Sequence, residues 1–386
     1  MRESAQQRTY SNTVDARIVK SSARGNWIQI LTALCPGLSN AAKNVGKHVP
    51  CPDHGGENGF RFFKDADDTG GSICNTCGTF DDGFKTLQWY HDWDFPTAVA
   101  EVAEFLRLTP KDNDSARPVY RKEMSPPVES ESDRRKREYK DKKLREELTR
   151  IWHESLPLDD SRAEPARLYL ARRGLALRHA LKCENLRFHQ ALPYFQEGQI
   201  SGYHPGIVAM VLDAKAVPVT IHRTFLDQEG YKACVPSPKK LMPYPSDRNL
   251  KGAFIPLAKL EWDYPGRDLG ITEGIETGLA VIEASEGRLP VWVMITARIM
   301  QGFTPPIDVE HLYAYGDQDG NNTGLDTIKS LKTRLLSDYQ DLAVTGFLPP
   351  RDEIPEGDKS VDWLDIFVKH GSSAIPMPKG IREVLH

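Results

Sequence analysis

The chain has 386 residues, 39% of them hydrophobic, with 50 Lys and Arg against 54 Asp and Glu and a net charge of -4. That length holds two or three domains, and the apolar fraction supports buried cores and excludes wholesale disorder. A mean hydropathy of -0.49, no uninterrupted apolar run of about 18 residues and an N-terminus, MRESAQQRTY, without a signal-peptide core exclude a membrane span, so a cytoplasmic protein is expected.

Taken in chain order, Trp27, Ile30, Leu31 and Leu34 recur at helical spacing and predict a first helix over 23–38, ended by Pro36-Gly37. Val99, Val102, Ala103 and Leu106 predict a second helix that starts at Phe95-Pro96-Thr97 and closes a small domain near Leu108. Between about 109 and 133 the chain mixes Pro, Ser, Asp and Lys without apolar periodicity, too little to offset the entropy of ordering. From Asp133 to Arg145 eight Lys or Arg face three acidic residues, so the overall negative charge hides a basic segment. The boundaries expected are a small domain over 1–108, a charged flexible linker over 109–145, and a larger region whose N-terminal α+β part spans 146–262 and whose parallel-sheet domain spans 263–386. A charged helix over about 134–154 and a short one over 165–173, stopped by Gly174, open the second half.

Further on, Gly206 to Asp213 and Val217 to Asp227 are rich in branched residues and predict an antiparallel strand pair. After Asp268 the pattern alternates: LGIT, a helix through 276–284, VWVMI, HLYAYG, a helix through 324–336, and DLAVTGF. Such alternation implies a mainly parallel sheet covered by helices, with functional residues just past the carboxyl ends of its strands. The expected fold class is therefore multidomain α/β: a small ribbon with flanking helices, a mixed α+β region and a Rossmann-like parallel sheet.

Six cysteines are too few for a disulfide scaffold in a chain of this size, and three of them cluster with a histidine. Cys51-Pro-Asp-His54 is followed after nineteen residues by Cys74-Asn-Thr-Cys77, two knuckles that offer three thiolates and one imidazole to a tetrahedral Zn2+. Closed coordination makes this a structural site whose binding energy replaces a core. Cys35, Cys183 and Cys234 stand singly and are expected as small buried apolar residues with no chemical role. Between the knuckles, Phe60-Arg61-Phe62-Phe63-Lys64 alternates rings and cations, so the aromatics either stack bases or fill the ribbon, with Arg61 and Lys64 facing phosphates.

A second constellation is acidic. Glu273 follows LGIT, and Asp317 and Asp319 follow HLYAYG, so three carboxylates project from one edge of the predicted sheet. Carboxylates gathered in this way hold hard divalent cations such as Mg2+ or Mn2+, which keep substrate phosphates as their remaining ligands. A calcium loop fails, because its sixth position is Asn322 and its twelfth Ile328.

These residues carry a resemblance. The run HVPCPDHGGENGFRFFKD with GGSICNTCGTFDDGF resembles the zinc ribbon of phage and plasmid primases and primase-helicases, and LGITEGIETGLAV with YAYGDQDGNNTG resembles the Toprim domain they share with bacterial replicative primases. The two segments cover about half the chain, and the ribbon and Toprim domain in this order are far more specific than Toprim alone, which topoisomerases, nucleases and recombination mediators also use. The resemblance implies that Glu273 and the Asp317/Asp319 pair hold catalytic metals, with Asp362 and Asp365 of DWLD as a further acidic motif. One departure is that the family has glycine three residues past the second aspartate, whereas Gly324 stands five past Asp319.

What the resemblance implies for function is synthesis of short RNA primers from ribonucleoside triphosphates on a single-stranded DNA template. Arg223, Lys232, Lys239 and Lys240, ahead of the acidic sheet, are expected to hold triphosphate and template. No P-loop motif is present, so a separate replicative helicase is the expected partner. Two other readings stay open: a Toprim nuclease using the same carboxylates, and a non-catalytic adaptor for single-stranded DNA or a helicase.

Overall fold

The computed structural model describes residues 14–53, 55–75, 77–109, 131–196, 199–263, 266–320 and 322–381. The chain divides into two compact units, Met1–Ser130 and Glu131–His386.

In the first unit the helix expected over 23–38 is shorter: α2 (Trp27–Leu34) holds its four periodic residues and stops before Pro36. Helix α1 (Ala16–Ala23) precedes it and ends before Gly25, whose φ of 75° no helix can contain. A short turn at Pro36–Leu38 leads into α3 (Ser39–Lys43). The ribbon is an antiparallel sheet in sequence order, made of β1 (Val49–Cys51), β2 (Gly55–Phe62), β3 (Ser72–Cys74) and β4 (Gly78–Phe80), with α4 (Ala66–Thr69) inserted between β2 and β3. Helices α5 (Gly83–His91) and α6 (Phe95–Phe105) close the unit, and the Asp94 carboxylate caps α6 by accepting from the Thr97 N–H.

The core of this unit is aromatic. Phe60 stacks on Trp89 with centroids 5.4 Å apart, and Trp27 meets Phe84 edge-on at 5.0 Å. A Cβ on Gly83 would lie 2.1 Å from the Trp27 ring, so only glycine lets α5 begin against that indole. Phe60 and Phe62 are fully buried, which decides two of the aromatics in the ring-and-cation run in favour of packing.

The second unit opens with α7 (Glu131–Glu154), which takes in residues 131–145 of the expected linker. Those residues are helical and docked: Arg137 bonds to Ser246, Asp141 accepts from Ser246, and Arg145 pairs with Asp247. Further along the helix, buried Ile151 and its neighbours Leu148 and Trp152 anchor it apolar-side down. A five-stranded sheet follows, ordered β5 (Leu156–Pro157), β6 (Leu186–Gln196), β7 (Gln199–Leu212), β8 (Pro218–Phe225) and β9 (Lys239–Leu241), with α8 (Glu164–Arg172) between β5 and β6. The pair read from Gly206–Asp213 and Val217–Asp227 is β7 with β8, antiparallel as expected. Strand β6 went unread because Pro193 and an irregular register between His189 and Leu192 break its alternation.

The second sheet runs β10 (Ile255–Pro256), β12 (Val291–Val293), β11 (Asp268–Thr272), β13 (His311–Tyr315), β15 (Ala343–Phe347) across its width. Helix α9 (Ile275–Ala284) connects β11 to β12 (Val291–Val293), and α10 (Ala297–Gln301) precedes β13 (His311–Tyr315). A two-residue strand, β14 (Gln318–Asp319), then α11 (Thr323–Asp338) and β15 (Ala343–Phe347) follow, and β16 (Ser360–Val361) and α12 (Trp363–His370) end the described fold. The pairs β11/β12, β11/β13 and β13/β15 are parallel, and β10 is an antiparallel edge. Strand β10 comes from the region expected as the N-terminal α+β part, and it pairs with β12 within the unit Glu131–His386. Every residue of β11 is buried, as a strand covered on both faces must be. No helix among the described residues is long and apolar enough to cross a membrane.

Candidate metal centres and nucleotide site

In the ribbon, Cys51 ends β1, Cys74 ends β3 and Cys77 sits in the turn before β4. Their sulfurs all lie within 4.8 Å of one another, and Cys51 Sγ is 3.8 Å from Cys77 Sγ. A tetrahedron with Zn–S bonds of about 2.3 Å has edges of roughly 3.8 Å, so the thiols already stand at zinc spacing. Burial pushes the Cys77 thiol well up, and its neighbours Cys51 and Cys74 push it further, a crowding that a bound cation relieves. The fourth expected ligand, His54, lies outside the described residues. Of the single cysteines, Cys35 and Cys183 are buried as expected, but Cys234 is exposed.

The acidic centre is built by strand register. Thr272 pairs with Tyr315 in the parallel β11/β13 ladder, so the two strands end side by side and deliver Glu273 and Asp317 to one edge. Next to them β14 pairs with β16, Gln318 opposite Val361 and Asp319 opposite Ser360, which carries Asp362 to the same edge. Asp317 Oδ1 is buried with no hydrogen-bond partner among the described residues. Burial first, then the charges of Glu273 and Asp362, push the Asp317 carboxyl well above its usual range, with Lys239 pulling the other way and Asp319 adding to the rise. A buried, unsatisfied carboxylate oxygen surrounded by like charges is costly as it stands and suits a divalent cation.

The acids differ in how far their oxygens are already committed. Asp319 accepts from the backbone N–H of Thr323 at 3.0 Å and of Gly324 at 3.3 Å, at the head of α11. A Cβ on Gly324 would lie 2.0 Å from the Asp317 carbonyl oxygen, so this glycine lets the helix start directly beneath the acidic edge. Asp362 and Asp365 form a reciprocal capping box at the start of α12, where Asp362 Oδ1 accepts from Asp365 N and Asp365 Oδ2 from Asp362 N. Asp365 is exposed, whereas burial and then Asp365 push the Asp362 carboxyl up.

The basic residues divide between the two faces of the β5–β9 sheet. Arg223 of β8 stands directly opposite Lys240 of β9, and Thr224 opposite Lys239, so Lys239 and Lys240 point to opposite sides. On one side the Lys239 ammonium donates to Glu276 Oε2 at 2.7 Å, and Tyr169 Oη donates to Glu276 Oε1 at 2.5 Å. Burial and the neighbouring Lys239 lower the Lys232 ammonium, against the attraction of Glu276 and Asp362. On the other side, above buried Tyr194 and Phe225, Arg223 is 5% exposed and its Nε has no partner among the described residues. The Lys240 ammonium lies 4.0 Å from the Tyr194 ring centroid and is pushed down to about 8 by burial and then by Arg223. Arg61 and Lys64 belong to the first unit, with Arg61 over the Phe63 ring at 5.7 Å and Lys64 exposed.

Glu276 and Tyr169 were not read from the sequence. One signal was present for Glu276: it sits in the first turn of IETGLAVIEA, a helix apolar almost all round, so its charge had to be buried against a partner.

Residues 46–84 match the zinc-binding domain of primase-helicase, and residues 268–373 the Toprim domain. This chain joins a primase-type zinc ribbon to a Toprim domain. The ribbon match spans all three clustered cysteines, and the Toprim match spans Glu273, Asp317, Asp319, Asp362 and Asp365. Between them, residues 142–251 match a domain of unknown function (DUF7146), which holds Tyr169, Arg223, Lys232, Lys239 and Lys240. Among solved structures, the chain is similar to the primase fragment of the bacteriophage T7 primase-helicase protein, at 14% identity over 85% of this chain and 96% of that one, with a TM-score of 0.36. It is similar to the zinc-binding and RNA polymerase domains of the Aquifex aeolicus primase, at 16% identity over 90% and 83%, with a TM-score of 0.39. The E. coli primase catalytic core is similar at 14% identity over 60% of this chain and 76% of that one, with a TM-score of 0.40. No curated protein sequence matches the chain.

Proposed function

We propose that the chain is a DNA primase that makes short RNA primers on single-stranded DNA by metal-dependent nucleotidyl transfer. The observation that carries this reading is the orphaned, buried oxygen of Asp317 among Glu273, Asp319 and Asp362, with Lys232 and Lys239 beside it. A primase-type ribbon on the same chain supports the choice of polymerisation over the other chemistries of a Toprim domain.

In the proposed reaction the 3'-hydroxyl of one ribonucleotide attacks the α-phosphorus of the next, the bond to the β-phosphate oxygen breaks, and pyrophosphate leaves. Mg2+ or Mn2+ held by Glu273, Asp317 and Asp319, with Asp362 alongside, would supply neutralising charge at the leaving phosphates and acidify the attacking hydroxyl. Lys232 and Lys239 hold the triphosphate, because they share the acids' side of the sheet. Arg223 and Lys240, on the other face, hold template phosphates, and Arg61 and Lys64 of the zinc-loaded ribbon meet the template at initiation. Carrying the ribbon and the acidic site on one chain raises the effective concentration of the one at the other. The protein works with a replicative helicase.

The test is primer synthesis on short single-stranded DNA templates with labelled ribonucleotides and Mg2+ or Mn2+. New RNA from the wild-type chain, falling about 1,000-fold in Asp317→Asn, is expected. Shortening of labelled DNA in the absence of nucleotides would replace this reading with a nuclease. Unchanged replication function in Asp317→Asn would replace it with an adaptor.

A further inference from the structure

We propose that Glu276 is a positioning residue for nucleotide binding: its sealed carboxylate, locked by Tyr169, holds the Lys239 ammonium beside the acidic edge, where it meets the polyphosphate of an incoming ribonucleoside triphosphate. This rests on the primase reading of the same site.

Three elements converge to make the arrangement. Glu276 comes from the first turn of α9, Tyr169 from α8 and Lys239 from β9, so the contact bridges the two sheets of the larger unit. A carboxylate in a helix's first turn is favoured by the axial dipole, but one this deeply buried still needs a partner. Burial opposes ionisation of Glu276, yet Lys239 and the hydrogen bonds from Lys239 and Tyr169 outweigh it and hold the carboxyl well below the usual range. Burial and the adjacent carboxylate push the Tyr169 phenol far up, so it remains a donor.

The pair is asymmetric. The Glu276 side chain is 7% exposed and the Lys239 side chain 37%, so the anion is sealed while its cation opens outward. A staple that served packing alone would gain nothing from an open cation. Glu276 takes one N–H of the ammonium and leaves the others for a ligand. Glu276 stands three residues past Glu273, in the first turn of the helix that leaves β11, so an ammonium bonded to its carboxylate lies at the same strand end as the acidic edge. Such a contact is made in ground state and transition state alike, so its loss raises KM rather than lowering kcat.

The experiment uses the zinc-loaded full chain with Mg2+, measuring ATP binding by calorimetry and the steady-state kinetics of primer initiation. Glu276→Gln and Lys239→Gln should each raise Kd for ATP and KM about tenfold, with kcat within about threefold. The double variant should be no worse than Lys239→Gln alone, because Glu276 acts through Lys239. Tyr169→Phe should move KM the same way by about threefold. Unchanged Kd and KM in a folded Glu276→Gln, or additive losses in the double variant, overturn the proposal. If Glu276→Gln fails to fold by circular dichroism, the Tyr169→Phe result decides, and an unmoved KM there overturns it. A wild-type chain that neither binds ATP nor makes RNA sinks the primase reading itself, whereas an active wild type matched by its variants sinks only this inference.

Discussion

The two clusters of metal-type side chains sit in different surroundings. In the ribbon unit Cys51 and Cys74 are themselves among the buried core residues, packed with Phe60 and Trp89, so the metal site lies within the packing of the unit. In the larger unit the core runs through both sheets and their helices, and the carboxylates stand at the ends of β11 and β13, outside it. The first arrangement uses a cation to complete a fold, and the second uses a fold to hold an expensive set of charges. A cation withdrawn from the ribbon should cost structure, and one withdrawn from the acidic edge should cost activity and relieve nothing.

The largest effect expected from that contrast is on the ribbon. Chelating zinc, or Cys74→Ser, should remove about 10 kcal/mol of folding free energy from the first unit and abolish its cooperative melting, while the melting of the second unit stays put. Calorimetry of the full chain, with far-ultraviolet circular dichroism, checks this. A first unit that melts cooperatively without zinc would erase the contrast.

Next in size is the response of the acidic edge. The folded pKa of Asp317 lies above its unfolded value, so its contribution to stability is complete below the ordinary carboxylate range and is lost as pH rises through the elevated folded pKa. Asp317→Asn should therefore be more stable than wild type at neutral pH without metal, with the gap closing as pH falls to the ordinary carboxylate range. Mg2+ should raise the melting temperature of the wild type and leave the variant unmoved. A variant less stable than wild type at neutral pH would mean that the Asp317 carboxylate is satisfied by the protein alone.

The smallest effect separates two neighbours. Asp365→Ala removes the reciprocal cap of α12 and should cost about 1 kcal/mol in chemical denaturation, with primer synthesis by the folded protein reduced less than about threefold. Asp362→Asn should do the reverse and depress synthesis more than stability. If Asp365→Ala abolishes synthesis while leaving stability intact, Asp365 belongs to the acidic edge and the contrast between cap and site is wrong.

Much of the architecture was legible because it is written in short-range patterns. Cysteines three residues apart form a knuckle wherever the chain turns, and strand-helix alternation after Asp268 leaves few choices of topology. Other features were hidden by local signals that mislead. Pro193 disguises a central strand, and the charges of 131–145 look like a solvated linker until Ile151 anchors the helix that contains them.

By itself, the sequence determined which residues could chelate: three cysteines at knuckle spacing, and acids placed just after apolar strands, since ligand type and spacing are properties of the chain. Only the tertiary structure decided what each charge faces. Lys239 and Lys240 are adjacent in sequence yet lie on opposite sides of a sheet, the exposed Asp365 is committed to a helix cap three residues from the half-buried Asp362, and Glu276 finds partners 37 and 107 residues away. The reason is electrostatic: a side chain's charge and role depend on burial and on neighbours within a few ångströms, and those neighbours are set by packing across the fold rather than by position along the chain.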